Sequence, residues 1–289
     1  MLNHVVVRVP ATSANLGSGF DSVGLALAIT ADVTVSFQPI ETNNQHSMIV
    51  SALRAAYVGA GRDAPEQIFV QIEGGFPVAR GLGASAAFRA AGVVAANAMM
   101  GEPLTDDQLL AIGTELEGHA DNMAPALFGG LQVVVHDGDT WHRLAVPMAD
   151  GLKIVLLVPD FEMPTNQSRK KLPQQLPRED AIFNVGRAAL LVAALAQGRW
   201  DLLDPATQDK LHQPARAEIF PALEAILAGA KDAGAHAAYL SGGGSTVAAF
   251  ATQNEERIAR LMQQAAVARG YSARAIITKP SSQGAQIVA

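Results

Sequence analysis

Three stretches of this chain, residues 10–24, 77–87 and 241–246, carry glycine and hydroxyl residues more densely than ordinary turns need. In the middle one, Gly81 and Gly83 precede a run from Ser85 to Met100 whose Ala and Met content predicts a helix. Glycines placed there let the backbone take positive φ and close on a ligand, while the helix start offers free N–H groups and the positive end of its dipole. That combination binds polyphosphate. The loop is not a Walker A motif, because no Gly-Lys-Ser/Thr follows, and it is not a dinucleotide fingerprint, because the G-x-G-x-x-G spacing is absent. Taken singly, each loop also reads as a tight turn leading into an element; the three together point to a site.

A second concentration of chemistry lies at Glu115, Glu117, His119, Asp121 and Asn122. On a helix Glu115, two residues before Glu117, points elsewhere and is expected to be solvated. His119 taken alone reads as a histidine at a helix C-terminus, favoured by the dipole. Beside Asp121 and Asn122 it becomes a candidate site residue.

The elements that must hold these groups follow from periodicity. Residues His4 to Val9 and Ala31 to Phe37 read as strands, with Asn15 to Gly24 between them as a loop. A helix is expected over Ser47 to Gly59 and a strand over Gln67 to Glu73. Thr105 caps a helix running to Glu117, with Gln108 reaching back to complete the box. Leu131 to Val135 and Lys153 to Val158 read as strands, the second apolar almost throughout and so central in a sheet. Helices are expected over Asp180 to Gln197, Ile219 to Ala233 and Glu255 to Gly270, and strands over Ala237 to Leu240 and Ala273 to Thr278. The alternation is not the regular βαβ repeat of a doubly wound sheet, so the fold class is α+β in two lobes, 1–150 and 151–289, divided near Asp150-Gly151.

The bulk properties are those of a folded globule rather than a disordered chain. At 289 residues the chain exceeds what one core usually organises, and 49% hydrophobic against 17% charged residues marks a folded globule. A net charge of -6 without clustered Lys and Arg disfavours nucleic acid as a partner. The absence of cysteine removes disulfides, thiolate nucleophiles and Cys-ligated zinc. The N-terminus lacks a secretory pattern, and the apolar run Ala188 to Ala196 is too short to cross a bilayer, so a cytoplasmic protein without membrane contact is expected.

The string Pro77-Val-Ala-Arg-Gly-Leu-Gly-Ala-Ser-Ala-Ala87 resembles the signature P-x-x-x-G-L-G-S-S-A-A of the GHMP kinase superfamily, with Ala84 in place of one serine. Residues 10–24 resemble that superfamily's first motif in the form P-A-T-S-A-N-L-G-x-G-F-D-x-x-G, found in its members that phosphorylate L-homoserine. Residues 238–247 resemble the third, S-G-A-G-P-T, with Gly243 replacing alanine and Ser245 replacing proline, a change expected to loosen the loop. Glu117 to Gly130 resembles E-G-H-x-D-N-x-A-P-x-x-F-G-G, and the segments at Thr165 and Arg169 and at His212 to Arg216 resemble S-T-x-x-x-R-x-x-L-P and L-H-x-P-x-R.

The resemblance implies an N-terminal α/β lobe with a left-handed β-α-β crossover and a C-terminal ferredoxin-like lobe, with the active site between them. It implies that Pro77, Val78, Ala79, Arg80, Gly81, Leu82, Gly83, Ala84, Ser85, Ala86 and Ala87 wrap the ATP phosphates, and that Ser85 and Glu117 hold Mg2+. It places Asn15, Asp21, His119, Asp121, Arg169, Arg216 and Gly243 around the amino-acid substrate, with Asp121, Asn122 and Thr165 at the chemistry. These types suit the task, since an ammonium needs carboxylate and amide oxygens and a carboxylate is matched best by a planar guanidinium. A homodimer is implied as well. The adenine pocket is unassigned, because residues 46–50 read His-Ser-Met-Ile-Val where an asparagine is usual. Two other readings stay open: a GHMP-type kinase acting on mevalonate or a sugar, and a non-catalytic metabolite-binding homologue.

Overall fold

The computed structural model describes residues 2–42, 46–164 and 168–289. Two antiparallel sheets organise them. The first is built on β1 (His4–Asn15) and β2 (Gly19–Ser36), a long hairpin whose alternating valines Val5, Val7, Val9, Val33 and Val35 are all buried. β2 is long enough to serve two partners: its later half pairs β3 (Phe69–Gly74) and its earlier half pairs β4 (Leu131–Asp137), which continues to β5 (Thr140–Val146). The stretch 15–24 read as a loop is therefore mostly strand. Its turn is confined to residues 16–18, because the register shifts at Pro10/Thr12 and Ala14/Asn15 absorb the irregular sequence as bulges.

Four helices cover this sheet: α1 (Ser47–Gly59), α2 (Ala84–Met100), α3 (Asp106–Glu117) and α4 (Ala120–Phe128). The expected capping box is present, with Gln108 N donating to Thr105 Oγ1 and Thr105 N donating to Gln108 Oε1. Sequence reading missed α4 because Pro125 lies inside it. Proline cannot donate to the Asp121 carbonyl, and that freed oxygen is where β2 passes closest: a Cβ on Gly24 would sit 1.7 Å from it.

The second sheet has the order β7-β8-β6-β9, with β6 (Lys153–Pro159) central as its apolar run predicts, β7 (Ala237–Leu240), β8 (Val247–Ala251) and β9 (Ala273–Thr278). With α5 (Arg178–Gln197), α6 (Leu203–Thr207), α7 (Gln213–Ala217) and α8 (Leu223–Asp232) between β6 and β7, and α9 (Glu255–Val267) between β8 and β9, this is a βαββαβ, ferredoxin-like arrangement. Period-two alternation in β6 divides its side chains between two cores. Ile154, Leu156 and Val158 join the cluster shared with the first sheet, whereas Val155 and Leu157 pack with Ile226, Ile258 and Met262 of α8 and α9. After β9 the chain returns to the first sheet, where Ala28 N bonds Lys279 O and β10 (Gln286–Ile287) pairs with β1.

Gly24→Ala should therefore cost about 1–3 kcal/mol or more from overpacking. Gly186→Ala, in α5 with nothing near its added methyl, should be neutral or stabilise by up to about 1 kcal/mol. Urea unfolding of the two variants checks this, and equal midpoints would contradict it.

Candidate active site

The three glycine loops meet in one place. β1 carries residues 10–15, the turn before α2 carries 79–83, and the turn after β7 carries 241–246. Thr12 N donates to Leu82 O at 3.0 Å, and Gly242 N to Ala14 O at 3.0 Å. Ser13 Oγ lies 2.7 Å from Ser241 Oγ, and Ser241 Oγ donates to Gly81 O at 2.6 Å. Gly83 takes φ 63° as N-cap of α2 and lies so close to Thr12 Oγ1 that a Cβ there would fall 1.8 Å from it. No side chain caps α2, so its first-turn N–H groups stay available to an anion.

The third loop is not loose. Ser245 Oγ donates to Phe161 O at 2.8 Å, Ser241 N to Thr246 O at 2.9 Å and Thr246 N to Arg80 O at 2.9 Å. These bonds constrain the segment where sequence reading expected the missing proline to leave it free.

Beside the loops opens a cleft lined by Asn15, Asp21, Ser85, Glu117, His119, Asp121, Asn122, Arg169, Arg216 and Gly243, together with Val78, Ala79 and Gly81 to Ala84. Four residues of the expected phosphate segment do not line it. Ala86 and Ala87 are buried in the core, Pro77 lies outside, and Arg80 turns away to donate to Pro159 O at 3.0 Å and Asp160 O at 2.8 Å. Arg80 thus ties the loop to the end of β6. Thr165 lies outside the described residues.

At one end of the cleft Ser85 Oγ donates to Glu117 Oε2 at 2.7 Å. Arg89, four residues on along α2, also bonds both Ser85 Oγ and Glu117. Sequence reading missed Arg89, although the i, i+4 spacing from Ser85 is the signal that finds it. At the other end Asp21 pairs with Arg169 at 2.5 Å, and its N–H donates to Asn15 Oδ1 at 3.0 Å. Arg216 is 1% exposed and, among the described residues, has no carboxylate within ion-pair distance. Burial draws its pKa down to about 10, which still leaves it charged.

His119 does not end α3, which stops at Glu117 with Gly118 as its C-cap. It is the N-cap of α4, with its Nδ1 3.4 Å from Asp121 Oδ1. Asp121, 3% exposed, accepts from Asn122 N at 2.9 Å, and Asn122 Oδ1 accepts from Thr12 Oγ1 at 2.7 Å. Burial raises the Asp121 pKa, with Asp21 adding to it, against the opposing pull of His119 and Arg169.

Two family models match the chain: GHMP kinases N terminal domain over residues 47–130, and GHMP kinases C terminal over 191–268. The two-lobed α+β fold and the loop cluster are thus those of a GHMP kinase. A homoserine kinase of Deinococcus radiodurans is 44% identical over 86% of this chain and 84% of its own, and one of Carboxydothermus hydrogenoformans is 37% identical over 97% and 96%. The crystal structure of homoserine kinase from Cytophaga hutchinsonii superposes with a TM-score of 0.88 at 26% identity, covering 100% of this chain and 98% of that one. The chain belongs to the homoserine kinase family, and is an ATP-dependent kinase.

The Asp121 shift carries a sign. Its folded-state pKa lies above the unfolded value, so the buried carboxyl costs stability at neutral pH, and that cost shrinks as pH falls below the raised folded-state pKa and is gone below the ordinary carboxylate range. Asp121→Asn keeps the shape without the charge. It should melt above wild type at neutral pH, with the gap closing in acid; calorimetry giving a lower melting temperature at neutral pH would contradict this.

Proposed function

We propose that this protein transfers the γ-phosphoryl group of ATP to the side-chain hydroxyl of L-homoserine, giving O-phospho-L-homoserine for threonine biosynthesis. The observation that carries the reading is the charge pattern of the cleft. The opposite charges of Asp21 and Arg169 lie beside the buried guanidinium of Arg216, in the same cleft as the uncapped start of α2. A zwitterion satisfies all three charges, its ammonium on Asp21 and its carboxylate on the two arginines. Mevalonate or a sugar brings no ammonium to Asp21, whose cation then stays Arg169.

In this reading the segment from Gly81 to Ser85 receives the triphosphate on backbone N–H groups, and Asn15, His119, Asp121 and Gly243 line the amino-acid side. The bond from the homoserine oxygen to the γ-phosphorus forms as the bond to the β–γ bridging oxygen breaks. The hydroxyl, held by Asp121 and Asn122, loses its proton late, to an oxygen of the transferred phosphoryl group; Thr165 is proposed to act at the same step. Such a transfer depends mostly on alignment and charge stabilisation, so Asp121 need do no more than hold and orient the hydroxyl.

Ser85 and Glu117 would hold a magnesium ion, whose charge would offset that of the phosphate oxygens. The donors fit it: a hydroxyl and a carboxylate oxygen 2.7 Å apart suit a hard cation that keeps water and phosphate ligands. Arg89 bonds both groups, so an ion held there would take its place at the carboxylate. We further propose a homodimer acting in the cytoplasm.

An ADP-release assay with magnesium-ATP, comparing L-homoserine with D-homoserine, L-serine, mevalonate and galactose, tests the substrate. A strong preference for L-homoserine is expected. Turnover of mevalonate or galactose instead overturns the acceptor assignment, and silence with every acceptor in a protein that binds ATP favours the non-catalytic reading. Glu117→Ala should abolish turnover while the circular dichroism spectrum is retained; an unchanged rate refutes the metal assignment.

A further inference from the structure

Arg216 is a buried cation at the wall of the cleft with, among the described residues, no contacting carboxylate, so what fixes its direction decides where its charge acts. Its Nη1 donates to Gly242 O at 2.9 Å and to His212 Nδ1 at 2.8 Å. A guanidinium can only donate, so Nδ1 of His212 accepts and the ring proton sits on Nε2. Nε2 then donates to Gly17 O at 2.7 Å. One neutral tautomer satisfies both contacts, in a ring wholly buried and stacked on Phe20 with centroids 5.3 Å apart. Burial, opposed by Asp209 and reinforced by Arg216, lowers the His212 pKa to about 4.

The backbone around this histidine is fastened separately. The buried Asp209 carboxylate accepts from Leu211 N at 3.0 Å, His212 N at 2.9 Å, Gln213 N at 2.7 Å and Asn184 Nδ2 at 2.6 Å. The ring therefore has a fixed base and two fixed targets. One target is Arg216; the other is the 16–18 turn that leads into Asp21.

We propose that His212 is a positioning residue that sets the distance between the carboxylate and ammonium subsites of the acceptor site, by accepting from Arg216 through Nδ1 and donating through Nε2 to Gly17 O in the turn that precedes Asp21. The inference rests on the reading of Arg216 as a carboxylate partner. His212 is fully buried and does not line the cleft.

Two substitutions separate the contacts. In His212→Asn the amide oxygen replaces Nδ1 and keeps the acceptor for Arg216; in His212→Gln the amide nitrogen replaces Nε2 and leaves Arg216 without it. His212→Gln should raise KM for L-homoserine by about 10–100-fold, the value of one hydrogen bond to a charged group. Its kcat and its KM for ATP should stay near wild type. The same variant should narrow the preference for L-homoserine over 3-aminopropan-1-ol, which lacks the carboxylate, while His212→Asn retains it. An equal loss of the preference for L-homoserine over 3-aminopropan-1-ol in the two variants, or a parallel loss in kcat and in the KM for ATP, would overturn the proposal as a mere folding role.

Nitrogen-15 imidazole shifts of the wild-type protein at neutral pH give a test that needs no variant and no turnover. A protonated Nε2 with a bare Nδ1 is expected, and an imidazolium or the opposite tautomer refutes the proposal. Failure of wild type to use L-homoserine would instead count against the acceptor assignment, and the imidazole shifts still decide the His212–Arg216 contact.

Discussion

Ser241 Oγ lies 2.7 Å from Ser13 Oγ and donates to Gly81 O, joining three segments that are remote in sequence. A site made of loops from β1, α2 and β7 works only if those loops keep one relative position, and buried hydroxyls provide that only when they are partnered. Tyr239 completes the group, its hydroxyl 3.2 Å from Ser13 Oγ and its pKa raised by burial, so it remains an un-ionised phenol. Around the knot, Thr12 joins Leu82 and Asn122, Arg80 joins β6, and Asn15 joins Gly242. The glycines at 81 and 83 are what let these backbones approach so closely.

The charge arrangement follows from that geometry. Bringing Arg216, Asp121 and Glu117 out of water is costly, and each is handled differently. Glu117 is given a cation and a hydroxyl, Asp121 is given backbone and histidine neighbours and a raised pKa, and Arg216 is given neutral acceptors. A buried guanidinium whose hydrogen bonds, among the described residues, go to neutral acceptors holds a strong attraction for an anion. Asp21 and Arg169, both partly exposed, hold each other across the mouth of the cleft, where a zwitterion can take both partners.

Much of this was legible from residue order. The 81–85 loop and its helix, the Thr105 capping box and the centrality of β6 are local patterns, and local physics reads them. The errors share a cause in long-range pairing. Residues 15–24 look like a loop until β1, β2 and β4 are laid side by side, and α4 is hidden by Pro125 until Gly24 is seen against the carbonyl that proline leaves free. Arg80 lies inside the phosphate signature yet serves β6, because a motif records spacing and not side-chain direction. Replacing proline by Ser245 suggested a loose loop, but the hydroxyl has Phe161 O as its acceptor, a partner no local pattern could supply.

The central claim is that one cleft holds a zwitterionic alcohol between Asp21 and the two arginines, with its hydroxyl facing phosphate at the start of α2. A crystal structure of the protein with L-homoserine and a non-hydrolysable ATP analogue tests it most directly. The account predicts the carboxylate on Arg169 and Arg216, the ammonium at Asp21 and the hydroxyl directed at the γ-phosphate over residues 81–85. An amino acid bound with both arginines unengaged, or a triphosphate lying away from the N-terminus of α2, would contradict it.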